Sequence, residues 1–261
     1  MKRHRGLFLG LAVAALMCLP AGRARAEAIT MSVQVGTGPI MDLATFGGVG
    51  TSGGYTMNDA AITALNGFLT TNGSQYQFST SGATVLGGTS NFPGSTEGQL
   101  TMSGTLLSVQ AGSALLTIVE SESAFTSPTG PSGTLTSSST GDFDNQPAGP
   151  AHTASSSFTT STNNTTSTPD YTVSSLNSGN NPGSGGMASV GLTSVPTLYT
   201  LTNTITFNLA AGTTAVPVVD GFSVIATVTA IPEPTSLVMM LTGMPVPLVL
   251  LGILRRRRAS A

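Results

Sequence analysis

The stretch Gly50-Thr51-Ser52-Gly53-Gly54 has the G-x-S-x-G spacing of a nucleophile elbow, and Asp142 or Asp144 and then His152 follow it in hydrolase order. The chemistry would be acyl transfer. The serine hydroxyl attacks, the imidazole takes its proton and the carboxylate orients the ring. An elbow must join a buried strand to a helix within a βαβ sheet, whereas this chain reads as antiparallel strands. His152 is also the only histidine after His4, so every general base built on imidazole depends on it. Its neighbours are Ser, Ala and Gly, which reads as a solvated loop.

Two other patterns point to chemistry. Gly48, Gly50 and Gly53 fit a dinucleotide fingerprint, but that needs a helix opening on the glycines and an acid about 20 residues on. The helix signal begins only at Asn58, and no acid lies between Asp59 and Glu97. An ordinary glycine-rich loop explains the pattern. Among the acids, Asp142-Phe143-Asp144-Asn145 brings two carboxylates and an amide together, and Glu120 and Glu122 share one strand face. Hard oxygen ligands of this kind suit Ca²⁺. The first group lacks the glycine and terminal glutamate of an EF-hand loop and reads as a solvated acidic turn. A glycosidase pair of carboxylates could be drawn in many ways from eleven acids, but no Trp is present to stack on sugar. No catalytic, cofactor or metal residue is therefore assigned.

The elements that would position these groups are mostly strands. Residues 29–35 alternate apolar and polar, as do 75–79, and β-rich runs cover 100–109, 114–120, 199–209 and 222–228. In Tyr199–Leu209, Leu201, Asn203, Ile205 and Phe207 share one face and Thr200, Thr202, Thr204 and Thr206 the other, as in a half-buried antiparallel strand. One helix is expected. Asn58 is its N-cap, Ala61, Ile62, Leu65, Phe68 and Leu69 form its apolar stripe, and Gly73 stops it. From Ser132 to Ser175, 22 of 44 residues are Ser or Thr, so the stretch reads as long solvated hairpins or a partly disordered segment. The loop-rich character extends over 132–198.

Charge narrows the function further. Charged residues are 8% of the chain, against roughly 25% in an ordinary soluble protein. No Lys or Arg lies between Glu27 and Leu254, while all eleven acids do, so that stretch has a formal charge of −11. Nucleic acid, nucleotides and anionic lipid headgroups are poor partners for it, because their phosphates draw on Lys and Arg. The same fact gives a first test. Trypsin cuts after Lys or Arg, so no tryptic peptide should end between Arg25 and Arg255, folded or unfolded. Peptide mass mapping checks this.

Both ends read as addresses. Lys2, Arg3 and Arg5 precede the apolar Leu7–Leu19, and Ala24-Arg25-Ala26 offers an A-x-A cleavage site before Glu27, the form of a secretory signal over 1–26. Cys18, the only cysteine, lies within it, so the mature chain would have no thiol chemistry. At the other end, 237–254 is an apolar run of roughly 27 Å as a helix, just enough to span a bilayer. Arg255, Arg256, Arg257 and Arg258 would hold its end in the cytoplasm, with Pro245 and Pro247 kinking it.

Pro232-Glu233-Pro234, the apolar span directly after it and the terminal arginine cluster together resemble the PEP-CTERM sorting signal of bacterial envelope proteins. The resemblance covers about the last 30 residues. It implies that Pro232, Glu233 and Pro234 are recognised by an exosortase during export and that Arg255 to Arg258 act as a stop-transfer cluster, with signal peptidase as the partner at the other end. Looser likeness to other exported members of that family favours one antiparallel β-sandwich-like domain over 27–230, followed by the sorting signal over 231–258. The expected protein is all-β with one short helix, between an N-terminal signal peptide and a C-terminal transmembrane helix. The expected role is a non-enzymatic surface or extracellular-matrix component associated with exopolysaccharide. The alternatives are an adhesive or carbohydrate-binding module, with Ca²⁺ at Asp142 and Asp144 as one route, and thirdly a secreted hydrolase.

Overall fold

Alternation decides which residues turn inward. In β1 (Thr30–Val35), Met31, Val33 and Val35 are buried, while Thr30, Ser32 and Gln34 face out. The computed structural model describes residues 27–80, 86–91, 97–110, 114–176 and 181–231. The signal region with Ala24 and Ala26, the motif Pro232, Glu233 and Pro234, the span 237–254 and Arg255 to Arg258 lie outside the described residues. Among the described residues, no helix is long and apolar enough to cross a membrane.

Two antiparallel sheets form a β-sandwich-like body. The first joins β1 to the two-residue β2 (Met41–Asp42) on one side and to β8 (Leu116–Phe125) on the other. It continues through β14 (Tyr199–Phe207) to β10 (Gly149–Thr160), whose far edge carries β11 (Thr165–Ser167) and β12 (Tyr171–Ser175). The second sheet is built on three long strands: β7 (Glu97–Ser108), β15 (Val218–Ile231) and β9 (Ser132–Asp144). β13 (Asn181–Leu192) closes one side, while β6 (Gly87–Asn91), β4 (Gly54–Thr56) and β3 (Val49–Thr51) extend the other. β5 (Tyr76–Phe78) also pairs with β7.

The core lies between the sheets. Leu201, Ile205 and Phe207 of the first meet Leu100, Met102, Phe222 and Val224 of the second, and the Phe207 and Phe222 rings meet edge-on at 4.9 Å. The helix α1 (Asp59–Thr71) forms where its caps predict. The Asn58 side chain accepts the N–H of Ala61 at 2.9 Å. At the other end Gly73 takes φ +71°, its N–H donating to Thr70 and that of Ser74 to Leu69, a Schellman stop. Ala61, Ile62, Leu65 and Leu69 are buried, and Phe68 packs on Phe46. Asn66 ties the helix to β5, donating to the Phe78 carbonyl and accepting its N–H.

The Ser/Thr-rich segment differs from its sequence reading. Residues 132–160 are not solvated hairpins but two long core strands, β9 in one sheet and β10 in the other. Their serines alternate, so that Ser137, Ser139 and Ser156 turn into the sandwich. Leu135 and Phe143 of β9 and Ala154 and Phe158 of β10 stand on the same inner faces as these serines.

Candidate functional site

His152 lies on β10 and is 1% exposed, so it is a core residue and not a solvated loop histidine. Its Nδ1 is 2.7 Å from Asp220 Oδ2 of β15, and its Nε2 is 3.0 Å from Ser139 Oγ of β9. Ser139 donates to the Ser223 carbonyl at 2.9 Å. A carbonyl can only accept, so the single hydroxyl proton is committed there and Nε2–H must donate to Ser139. One proton then remains for the 2.7 Å contact between Nδ1 and Asp220, which makes the pair net neutral. Phe143 and Phe207 flank the imidazole, with ring centroids at 6.0 and 5.8 Å. Burial pushes the Asp220 carboxyl up, His152 pulls it back, and Asp142 adds a smaller upward push. This is a Ser–His–Asp constellation in which the serine proton goes to the Ser223 carbonyl and not to the imidazole, and all three side chains are buried. Its effect is to tie the two sheets together.

A second buried network crosses the sandwich from β8. Glu120 and Glu122 do share a face, as their spacing requires, but it is the inner one. Asn203 of β14 donates to Glu120 Oε2 at 3.1 Å and to the Leu100 carbonyl of β7 at 3.0 Å. Its Oδ1 accepts from Ser156 Oγ at 2.8 Å, and Ser156 lies 2.7 Å from Ser137, whose hydroxyl reaches Tyr171 at 3.0 Å. Burial raises the Glu120 carboxyl to about 8, opposed by Asn203 and reinforced by Glu122. Glu122 is also held up by burial, with Ser90 and the Gly53 backbone opposing. Gly88 makes the room, since a Cβ there would stand 1.8 Å from Glu120 Oε1.

The other residues singled out from sequence do not assemble. Ser52 lies exposed in the two-residue turn between β3 and β4, where Gly53 takes φ +96°. That hairpin is no strand-to-helix elbow, and the partners of His152 are Ser139 and Asp220. Gly48, Gly50 and Gly53 belong to the same hairpin region, with no helix opening on it. Asp142 and Asp144 stand on the outer side of β9, either side of the buried Phe143. Among the described residues, no group of three or more His, Cys, Asp or Glu could hold a metal ion. Asp220 and Ser139 escaped sequence reading. The one signal for Asp220 was a lone acid in the apolar run Val218–Ile231.

The outer face of the first sheet presents an ordered array of hydroxyl side chains. Register aligns Ser157, Thr202, Ser121 and Thr30 in one row, then Ser155, Thr204, Val119 and Ser32, then Thr153, Thr206, Thr117 and Gln34. Rows and strands repeat at about 4.8 Å across and about 6.8 Å along the sheet. No residue in these rows is charged, and Val119 is the one without a polar side-chain group. Thr117 and Thr206 bond hydroxyl to hydroxyl at 3.0 Å, as do Ser121 and Thr202.

No protein-family model matches the chain, and no curated protein matches it in sequence. Among solved structures, it is similar to part of the enzymatically active domain of bacteriophage CBA120 tailspike protein 4. The identity there is 14% and the TM-score 0.25, over 58% of this chain and 19% of that one. It is similar also to TmCBM61, solved with β-1,4-galactotriose, at 8% identity and TM-score 0.23 over 57% of this chain and 81% of that one. The third is a family 11 carbohydrate-binding module from Clostridium thermocellum, at 9% identity and TM-score 0.22 over 61% of this chain and 96% of that one. Likeness at this level carries no argument about the chain, whose sandwich is read from its own two sheets.

Proposed function

We propose that this chain is an exported, non-enzymatic β-sandwich of the bacterial cell surface that binds neutral polysaccharide. The hydroxyl-covered outer face of the first sheet carries the reading. It offers a polyhydroxyl ligand donors and acceptors in regular rows at no cost in desolvated charge. A stretch with no Lys or Arg and a formal charge of −11 favours an uncharged glycan over an anionic one. No aromatic side chain stands in these rows, so affinity rests on many weak contacts along an extended chain. The reading draws nothing from the Ser52–His152 hydrolase pattern, because His152 is paired with Ser139 and Asp220 and not with Ser52. The PEP-CTERM resemblance and the signal-like N-terminus support delivery to the envelope through signal peptidase and exosortase.

The test is retention on insoluble neutral β-glucan, with alginate as the anionic control. The wild-type chain is expected to be retained on the glucan and not on alginate. Thr204→Glu, in the middle row, should weaken retention about tenfold or more while leaving Tm unchanged. Failure to bind any neutral glycan, or binding that Thr204→Glu leaves intact, overturns the reading. Delivery is tested separately by intact mass from the native host. A chain starting at Glu27 and ending near Pro234 supports processing, and one that still includes Arg258 overturns it.

A further inference from the structure

Most exposed strand edges in this sandwich are short. β2 has two residues and ends in Asp42, β3 and β11 have three each, and Asp170 directly precedes β12. β13 is the exception. It runs over 12 residues, and among the described strands it pairs only with β9. Proteins blunt such edges with charge, proline or bulges. Here the register shift between Asn181 and Ser184 blunts one end only. Gly185 to Leu192 stays in uninterrupted register with β9, and none of its residues is charged. Its outward-facing residues Gly185, Met187, Ser189 and Gly191 are exposed, Met187 by 71%. On the inner side a Cβ at Gly186 would meet the Tyr171 ring, so β12 packs on that strand's inner face, and no other described strand pairs along its edge.

We propose that β13 is a self-association edge, on which two copies of this chain pair antiparallel about a two-fold axis at Ala188. Their second sheets would join into one. The sequence favours a second copy as the occupant because it is self-complementary about that residue. Gly186 falls opposite Val190 of the other copy, Met187 opposite Ser189, Gly185 opposite Gly191, and Ala188 opposite itself. Each larger side chain meets a small one. Charge agrees. A domain so acidic and without basic residues can self-associate only where its carboxylates are absent, and the facing stretch of β9, Gly133 to Gly141, has none. Asp142 and Asp144 lie beyond the paired window. A two-fold contact is isologous and closes at a dimer.

Ala188→Cys in a Cys18→Ser background of the full-length chain tests this. Antiparallel partners directly opposite lie about 4.5–5.5 Å apart at Cα, within reach of a disulfide. The oxidised variant should run as a dimer on a non-reducing gel and return to monomer with reductant. Val49→Cys, on the exposed far edge, should not cross-link. Sedimentation in detergent should find the wild-type chain dimeric. Ser189→Lys should raise the dimer dissociation constant at least about tenfold and, combined with Ala188→Cys, abolish the cross-link, with the β-sheet circular dichroism signal unchanged. A wild-type chain monomeric at all concentrations, a dimer indifferent to Ser189→Lys, or cross-linking at Val49→Cys equal to that at Ala188→Cys overturns the proposal.

Discussion

Raising the pH from 6.5 to 9.5 is expected to lower the Tm of the wild-type chain, and Glu120→Gln to remove most of that loss. The carboxyl of Glu120 is fully buried beneath Gly88 and raised from 4.5 to about 8. The folded protein therefore holds a proton that the unfolded chain releases near pH 4.5. A group raised in this sense contributes stability that is whole below its unfolded value and lost as pH rises through its folded value. The slope is about 1.4 kcal/mol per pH unit between the two, which gives about 2 kcal/mol from pH 6.5 to 8 and little beyond. For a body of this size that corresponds to roughly 4–8 °C in Tm. Ordinary surface carboxylates are already ionised throughout this window, so they cannot mimic the effect. Glutamine keeps the shape, accepts from Asn203 and cannot ionise. A shallow slope should remain, because Glu122 and Asp220 are raised in the same direction. Thermal melts of both proteins at matched ionic strength check the claim. Parallel pH profiles would show that Glu120 is not the group responsible.

The buried acid was partly legible. Leu116, Ile118, Glu120 and Glu122 alternate with Thr117, Val119 and Ser121, so period-two reading placed both glutamates on one face. Which face was inside could also be inferred from Leu116 and Ile118. Against that stood the cost of burying carboxyls, and Asn203, the partner that offsets part of it, is 83 residues away. The helix was legible end to end because its caps and its stripe are local. The Ser/Thr-rich strands were not, because 22 of the 44 residues from Ser132 to Ser175 are Ser or Thr and that composition masked the period-two cue of Leu135, Phe143, Ala154 and Phe158, which share the inner faces with Ser137, Ser139 and Ser156. The Ser52 elbow failed for another reason. Its spacing is local, but the histidine it needs is paired across the sandwich.

That cross-sheet pair supports the second large prediction. Removing one partner of a buried, hydrogen-bonded charge pair leaves the other uncompensated and costs about 3–5 kcal/mol. Asp220→Leu strands His152 Nδ1 between Phe143 and Phe207, and His152→Leu strands an acid that is 0% exposed and already has one oxygen without a partner. Each single variant should lower stability by that order. The double variant should be much less destabilised than the sum, because two apolar side chains in an aromatic surround need no partner and Ser139 keeps its bond to Ser223. Denaturant titration of the four proteins closes the cycle, with an expected coupling of at least about 2 kcal/mol. An additive double variant would mean that the 2.7 Å contact between His152 and Asp220 is not what binds β10 to β15. A strongly coupled cycle would establish that this Ser–His–Asp arrangement is a cross-sheet tie. The tie joins β10 of one sheet to β9 and β15 of the other through Ser139, His152 and Asp220.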